Sequence, residues 1–358
     1  MMPDFKKRID AFIELGKQLN RIALAGSPDQ LSPAGQALFH EILESPHRNP
    51  WFTAENVKNA ITGLSVMLEE NKMRKWLKDY TIQDHPNPSK VAVVMAGNIP
   101  GVGFHDFMCV LVSGNHFLGK LSGQDNELPV KIASLLTEIE QGFSTMIEFT
   151  DERISDFDAV IATGSNNTSR YFEYYFGKYP HIIRRNRNSI AILDGYETPG
   201  EQEALSNDIF MFYGMGCRSV SLIFIPDGYE PELLLDSFSK WEHLKNHHKF
   251  YNNYEYQKAI FLVNRTNHLD TGFVLLKEDI SLRSPLAVLH YYRYKSMADV
   301  QDFIVQQKEN IQCVVARQGL QLKGAEKVNT GDAQNPGPSD YADGIDTLKF
   351  LLELNARK

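Results

Sequence analysis

The chain has 358 residues, 42% hydrophobic and 23% charged, with a formal net charge of −8. That length suits about two domains, and the composition excludes a disordered tail, a collagen-like fibre and a coiled-coil rod. The acidic balance, with no basic stripe, argues against a nucleic-acid partner, and three cysteines with no Cys-x-x-Cys pair argue against a disulfide framework or a structural zinc site.

The first residues, Met1 to Arg8, lead into an amphipathic stretch and not an apolar one, so no secretory signal is expected. No apolar run approaches the ~20 residues of a membrane span. The expectation is a soluble protein of the reducing cytoplasm, with no metal.

Residues 1–85 read as a helical region. Phe5, Ile9, Phe12, Ile13 and Leu19 recur at helical spacing, and Trp51 to Leu77 repeats the pattern with Leu64, Met67 and Leu68 on one face. Asp84-His85-Pro86-Asn87-Pro88 then breaks the chain. Residues 86–200 change texture. Val91 to Ala96 is a continuous apolar run ending in Gly97-Asn98-Ile99-Pro100, and similar runs recur at 116–120, 146–149, 157–162 and 189–193. Such runs suit strands buried on both faces, and helical patterns such as Pro129 to Glu140 lie between them, which predicts a parallel βαβ sheet.

Residues 201–328 read as a second α/β unit, with strands expected at 220–225, 259–263, 287–289 and 313–316. The Gly-, Pro-, Asn- and Asp-rich stretch 329–343 is a loop, and 346–354 is a closing helix.

Cys109 and Cys313 lie in apolar runs and read as core residues. Cys217 differs. Gly214 and Gly216 precede it, allowing close backbone approach to a ligand, and Arg218 could favour a thiolate. Locally, a reactive thiol and an inert turn cysteine are equally good readings.

Gly114 to Lys120 fits seven positions of a phosphate-binding loop, but Leu121 follows where a hydroxyl is needed, so the segment reads better as a strand. Gly101-Val102-Gly103 fails the dinucleotide fingerprint because position 106 is Asp, although a helix starting there would present N–H groups to an anion. His243 and His247 have the spacing of a helical metal pair but no third ligand, and a solvated helix face is the better reading. Tyr291-Tyr292-Arg293-Tyr294-Lys295 reads as surface packing after a strand.

Taken together, Ala96-Gly97-Asn98-Ile99-Pro100, a strand running into Thr163-Gly164-Ser165, and Gly214-Met215-Gly216-Cys217 resemble the aldehyde dehydrogenase superfamily. With Asn188 to Leu193 and Glu278 to Leu286 added, the chain is most similar to the fatty acyl-CoA reductases of the bacterial luminescence system, the LuxC family, from about residue 88 to the C-terminus. The resemblance implies an aldehyde-dehydrogenase-like α/β fold, with a Rossmann-like cofactor-binding domain over 86–200 and a catalytic domain over 201–328. It implies reduction of an acyl thioester, in the first place an acyl-CoA, to an aldehyde. Cys217 would be the nucleophile, and Asn98 would donate to the developing oxyanion together with the Cys217 backbone N–H.

For the cofactor, Lys120 matches the lysine near the adenosine ribose, with Ser122 beside it. Gly164 and Ser165 would lie near the pyrophosphate, and Glu278 is the stand-in for a carboxylate on the nicotinamide ribose. Gly123 stands where the superfamily often carries a ribose-binding Glu. Its lack of charge favours NADPH over NADH, although Asp125 is close enough in sequence to supply a carboxylate. The stretch 184–188 has no carboxylate where hydrolytic relatives have their base, which suits a reductase. A homo-oligomer with a reduced oligomerisation arm and an acyl-transferring partner protein are implied as well. The alternative is an acyltransferase or thioesterase that uses Cys217 without hydride transfer.

Overall fold

A computed structural model describes residues 2–356. The chain divides into two compact units, one of residues up to Asn186 together with those from Asn335 on, the other Arg187–Gln334.

The first unit opens with four helices, α1 (Phe5–Leu24), α2 (Pro33–Arg48), α3 (Ala54–Met67) and α4 (Glu70–Leu77). Asp4, Ser32 and Thr53 cap the first three, each side chain accepting a backbone N–H of the first turn. There follow β1 (Lys90–Val94), α5 (Phe104–Val112), β2 (His116–Lys120), α6 (Leu128–Ile139), β3 (Ile147–Thr150), β4 (Ala159–Thr163), α7 (Asn166–Phe176) and β5 (His181–Arg184). The strands form a parallel sheet in the order β3-β2-β1-β4-β5. Alternate strand residues serve two cores. Val91, Val93, Phe117 and Ile161 face one, and Ala92, Leu118, Val160 and Ala162 the other. This is why the runs read as continuously apolar. The N-terminal helices do not form a separate region, because Phe12 packs edge to face on Phe104, Phe107 and Phe143 within the first of those cores.

The second unit holds β6 (Asn188–Ile192), α8 (Pro199–Phe210), β7 (Val220–Pro226), α9 (Leu235–Phe238), α10 (His248–Val263), β8 (Leu269–Asp270), β9 (Leu275–Glu278), β10 (Val288–Tyr294), α11 (Met297–Gln306), β11 (Ile311–Ala316) and β12 (Lys327–Val328). Its sheet has the order β12-β11-β6-β7-β10-β9-β8, parallel except for β8. The chain then returns to the first unit, where α12 (Thr347–Ala356) buries Leu348, Leu351 and Leu354 in the core shared with α1.

The structure departs from the sequence reading at four places. The first sheet was expected to extend to residue 200, but β6 pairs with β11 and β7, so the crossing falls at 186–187. The expected strand at 259–263 is the last part of α10. Five apolar residues carry no usable period, whereas Phe250, Tyr254 and Phe261 together mark a buried helix face, and Leu262 and Val263 are 61% and 82% exposed. Tyr291 to Tyr294 is not a surface tail but half of β10, where the buried Tyr294 donates its hydroxyl to the Leu193 carbonyl at 2.8 Å. Finally, β5 and β9 were not foreseen, because in each only two or three apolar residues adjoin charged ones.

Candidate active site

In the first sheet β1 leads to β2 and β3 on one side, and β4 and β5 lie on the other, so the winding reverses between β1 and β4. Open parallel sheets bind ligands outside the carboxyl ends of their strands at such a reversal. Five expected site residues fall on that edge. Asn98 is exposed on the loop after β1, Lys120 ends β2 with Ser122 just beyond, and Gly164 and Ser165 follow β4.

Their immediate contacts are specific. Lys120 Nζ donates to the Asp151 carbonyl. Ser122 Oγ accepts from the Gln124 N–H at 3.2 Å and abuts Gly97, where an added Cβ would come within 2.5 Å of it. Asp125 is buried and accepts the Gly101 N–H at 3.0 Å, and burial pushes its carboxyl up to about 6. The Asn98 loop is thus held at its start by close packing and at its end by a carboxylate. Asp125 is thus turned inward, away from a ribose-binding role, while the surroundings of Gly123 are open for 4 Å around a Cβ. The Gly164 N–H donates to the Arg184 carbonyl at 3.3 Å, and a Cβ there would meet the Phe172 ring at 2.9 Å, so this glycine lets α7 lie close on β4. Ser165 caps α7, accepting the Thr168 N–H at 3.1 Å. The first turn of α5, where an anion was expected, contains the buried carboxylate of Asp106, ion-paired with Arg184 at 2.6 Å. Gly114-Asn115 is a turn into β2, with buried Asn115 Oδ1 accepting the Ser89 N–H at 3.0 Å.

Cys217 occupies the other kind of edge, three residues before the amino end of β7. It is partly exposed, while Cys109 and Cys313 are fully buried. Burial holds the Cys109 thiol well above its ordinary value and pushes Cys313 up to about 11. The approach to Cys217 is strained. After α8, Phe212, Tyr213 and Gly214 are consecutively left-handed, with φ of 54°, 59° and 71°. For the two residues with side chains this costs about 1 kcal/mol each. Packing holds them, since both are buried and the Tyr213 ring stacks on His247 with centroids 4.4 Å apart. A turn then closes from the Ser219 N–H to the Gly216 carbonyl at 3.0 Å, with Cys217 at its second position.

Three side chains brace that turn and the segment behind it. Buried Ser189 Oγ donates to the Cys217 carbonyl at 3.0 Å. Arg218, expected to favour a thiolate, directs its guanidinium to the Ala333 carbonyl at 2.6 Å and to Glu326 at 2.8 Å. Asp208, in the last turn of α8, accepts the Gly331 and Ala333 N–H groups at 2.6 and 3.0 Å. Burial pushes the Asp208 carboxyl up to about 7, against the pull of those two donors. Ser189, Asp208 and Glu326 were missed from sequence; the signal for Asp208 was a carboxylate on the apolar face shared with Leu205 and Ile209.

Glu278 is not brought to this turn. It pairs in register with Tyr291, which pairs with Ile223, so it lies roughly 10 Å along the strands beyond Val220, where the Cys217 turn gives way to β7, at ~3.3 Å per residue. It is exposed, with its carboxylate 4.0 Å from Arg293 Nε. The segment after it folds back instead, and Ser221 Oγ donates to the Leu282 carbonyl at 2.6 Å. His243 and His247 also part company. Residues 239–246 form a 3₁₀ helix, and His247 is the cap of α10, its Nδ1 accepting the Phe250 N–H at 3.2 Å. Among the described residues no three His, Cys, Asp or Glu side chains gather as metal ligands would, and no helix is long and apolar enough to cross a membrane.

The architecture is that of solved aldehyde dehydrogenases. Aldehyde dehydrogenase 21 from Physcomitrella patens, solved with the reaction product succinate, aligns over 99% of this chain and 85% of its own, with 13% identity and a TM-score of 0.65. An indole-3-acetaldehyde dehydrogenase of P. syringae, a point mutant solved with NAD+ and IAA, aligns over 92% and 77%, with 12% identity and a TM-score of 0.61. The NADP-dependent glyceraldehyde-3-phosphate dehydrogenase of Bacillus halodurans C-125, solved with NADP, aligns over 92% and 79%, with 11% identity and a TM-score of 0.62. No curated protein matches the chain by sequence. The family model for acyl-CoA reductase (LuxC) matches residues 40–234, just over half of the 358-residue chain, and it takes in the N-terminal helices from α2 onward that the motif likeness left out. The chain therefore belongs to the LuxC acyl-CoA reductase family, an oxidoreductase family acting on acyl groups within the aldehyde dehydrogenase fold.

Proposed function

We propose that this protein reduces a fatty acyl thioester, in the first place an acyl-CoA, to the aldehyde with NADPH, through an acyl group carried on Cys217. The observation that carries the reading is the setting of Cys217, the one cysteine of three that is not fully buried, on a strained and firmly anchored turn. Its thiolate would attack the thioester carbonyl carbon, and the CoA thiolate would leave with a proton from solvent. The Asn98 side-chain amide and the Cys217 N–H would donate to the oxyanion.

The carboxyl edge of the first sheet fits a dinucleotide. It lies at the winding reversal, and Gly123 leaves open space beside Lys120 and Ser122. Lys120 and Ser122 would hold the adenosine ribose, with the pyrophosphate against the backbone at Gly164 and Ser165. The nicotinamide, when bound, supplies the hydride that converts the acyl group to aldehyde. The inward-turned Asp125 and the uncharged Gly123 favour NADPH over NADH, since neither sets a carboxylate against a 2′-phosphate. Glu278 has no assigned part in this reading. At the end of β5 Arg184 pairs with Asp106, just beyond it Arg185 pairs with Glu173, and 184–188 offers no carboxylate to activate water. The same proposal places the enzyme in the cytoplasm as a homo-oligomer, with an acyl-transferring protein as the other source of the acyl group.

The test follows NADPH oxidation by absorbance across a series of acyl-CoAs, with free CoA measured in parallel, for the parent and Cys217→Ala. NADPH oxidation that disappears in the variant supports the reading, and the series reports chain length. CoA release without NADPH oxidation makes Cys217 the acyl acceptor of a transferase or thioesterase. Undiminished oxidation in Cys217→Ala removes the covalent route.

A further inference from the structure

Asp208 is fully buried. The Arg218 guanidinium is near enough to draw its carboxyl down, and also binds the Ala333 carbonyl and Glu326. A carboxylate in that position is costly unless every lone pair has a use. Its two oxygens accept from two backbone donors two residues apart, Oδ2 from Gly331 at 2.6 Å and Oδ1 from Ala333 at 3.0 Å. Asparagine could satisfy only one of these, because its amide NH₂ would face the other N–H. The clamped segment is otherwise tightly built. Gly331 has a φ of +91° and sits where a Cβ would come within 2.9 Å of the Ala204 Cβ. Gln334 Nε2 reaches both the Asp208 carbonyl at 3.3 Å and Ser219 Oγ at 3.4 Å.

What the segment holds is the residue after Cys217. The Ala333 N–H goes to Asp208, while its carbonyl takes Arg218 Nε at 2.6 Å. The second arm of the same guanidinium takes Glu326, so Arg218 spans both ends of the 326–333 loop. Arg218 and Ser219 are the last two residues of the turn that presents the thiol, and both are tied to this segment.

We propose that Asp208 is a positioning residue for Cys217, acting through the Gly331–Ala333 backbone and Arg218 to set the orientation of the turn that carries the thiol. This rests on the reading of Cys217 as the reacting thiol. Asp208 itself touches neither substrate nor cofactor. Loosening the segment would free Arg218 and let the turn shift, and a displacement of about 1 Å at a reacting group can cost on the order of a hundredfold in rate.

The experiment compares the parent with Asp208→Asn and Glu326→Gln. It measures the rate of Cys217 alkylation by iodoacetamide as a function of pH, with the modified site identified by peptide mass, together with kcat and KM for an acyl-CoA and the melting temperature. For Asp208→Asn the expected result is a displaced alkylation pH profile and a kcat lowered about tenfold or more, with KM within about twofold. Glu326→Gln, at the other end of the loop, should move both quantities in the same direction by less. A lower melting temperature with unchanged alkylation profile and unchanged kcat would make Asp208 merely structural and overturn the proposal. If Asp208→Asn does not fold, Glu326→Gln decides, and a parent-like alkylation profile there overturns it equally. Alkylation does not depend on turnover. If Cys217→Ala keeps reductase activity the nucleophile reading fails, while the alkylation profile still reports whether Asp208 positions the thiol.

Discussion

In the five-stranded sheet the candidate residues come after their strands, whereas in the seven-stranded sheet Cys217 comes before one. Both loops depend on a buried aspartate that accepts backbone N–H groups, Asp125 for the Asn98 loop and Asp208 for the segment behind Cys217. The two anchors differ in strength and in company. Asp125 takes one donor, and the rest of the constraint is steric, from Gly97 against Ser122. Asp208 takes two, and an arginine, a glutamate and a glutamine extend its hold to a turn entered through two left-handed aromatic residues. The difference suits the tasks proposed for the two edges. A dinucleotide bound along a strand edge needs open backbone and room. A single reacting sulfur needs a fixed direction, and packing and hydrogen bonds sustain the strain that presents it.

The comparison can be broken most forcefully at Asn98. Asn98→Ala should lower kcat on acyl-CoA by about 10²–10³-fold with little change in melting temperature. A loss below about threefold would leave the first edge with the cofactor alone. Next in size is Gly97→Ala. The new Cβ meets Ser122, and overpacking of this kind costs about 1–3 kcal/mol, read as a lower urea midpoint. Adding Ser122→Ala should recover part of it, and no recovery would place the strain elsewhere. Gly123→Glu tests the room on the same edge. It should lower kcat/KM for NADPH relative to NADH by about tenfold, or about 1.4 kcal/mol, at unchanged stability. An unaltered ratio would remove position 123 from the ribose contact.

The smallest effect separates the carboxylates by pH. The Asp125 carboxyl is pushed from 3.8 up to about 6 in the folded state. Between those values the folded protein keeps a proton that the unfolded chain has released, so this group's contribution to stability falls as pH rises from about 4 to about 6 and is level above. Asp125→Asn keeps an acceptor for the Gly101 N–H and removes that slope. Urea unfolding at pH 4, 5, 6 and 7 should therefore show the parent losing stability relative to the variant across that window, and parallel curves would show that Asp125 is not the group responsible.

Much of the first unit was readable in advance, because its strands are buried on both faces. β1 and β2 leave short apolar runs such as Val91 to Val94, and their alternation with helical patterns marks them as strands. The second unit was less readable where periodicity fails. The apolar end of α10 imitates a strand, and the aromatic half of β10 imitates a surface tail. The candidate site was readable as motifs and only partly as contacts. Cys217, Asn98, Lys120 and Gly164 could be singled out by residue type and order. The direction of Arg218, the inward turn of Asp125 and the remoteness of Glu278 could not, because each is set by partners 24 to 115 positions away in the chain or by strand register.

By itself, then, the sequence determined two parallel α/β units, a run of N-terminal helices and one cysteine set apart from two core cysteines. Those features follow from local composition and spacing, which every short window of chain carries. Only the tertiary structure decided that β6 belongs to the second sheet, that the N-terminal helices share the first unit's core, and that Arg218 is bound to Glu326 and Ala333. The reason is that strand pairing and buried hydrogen bonds are chosen among distant segments competing for the same donors and the same apolar surface, and no local pattern records the outcome of that competition.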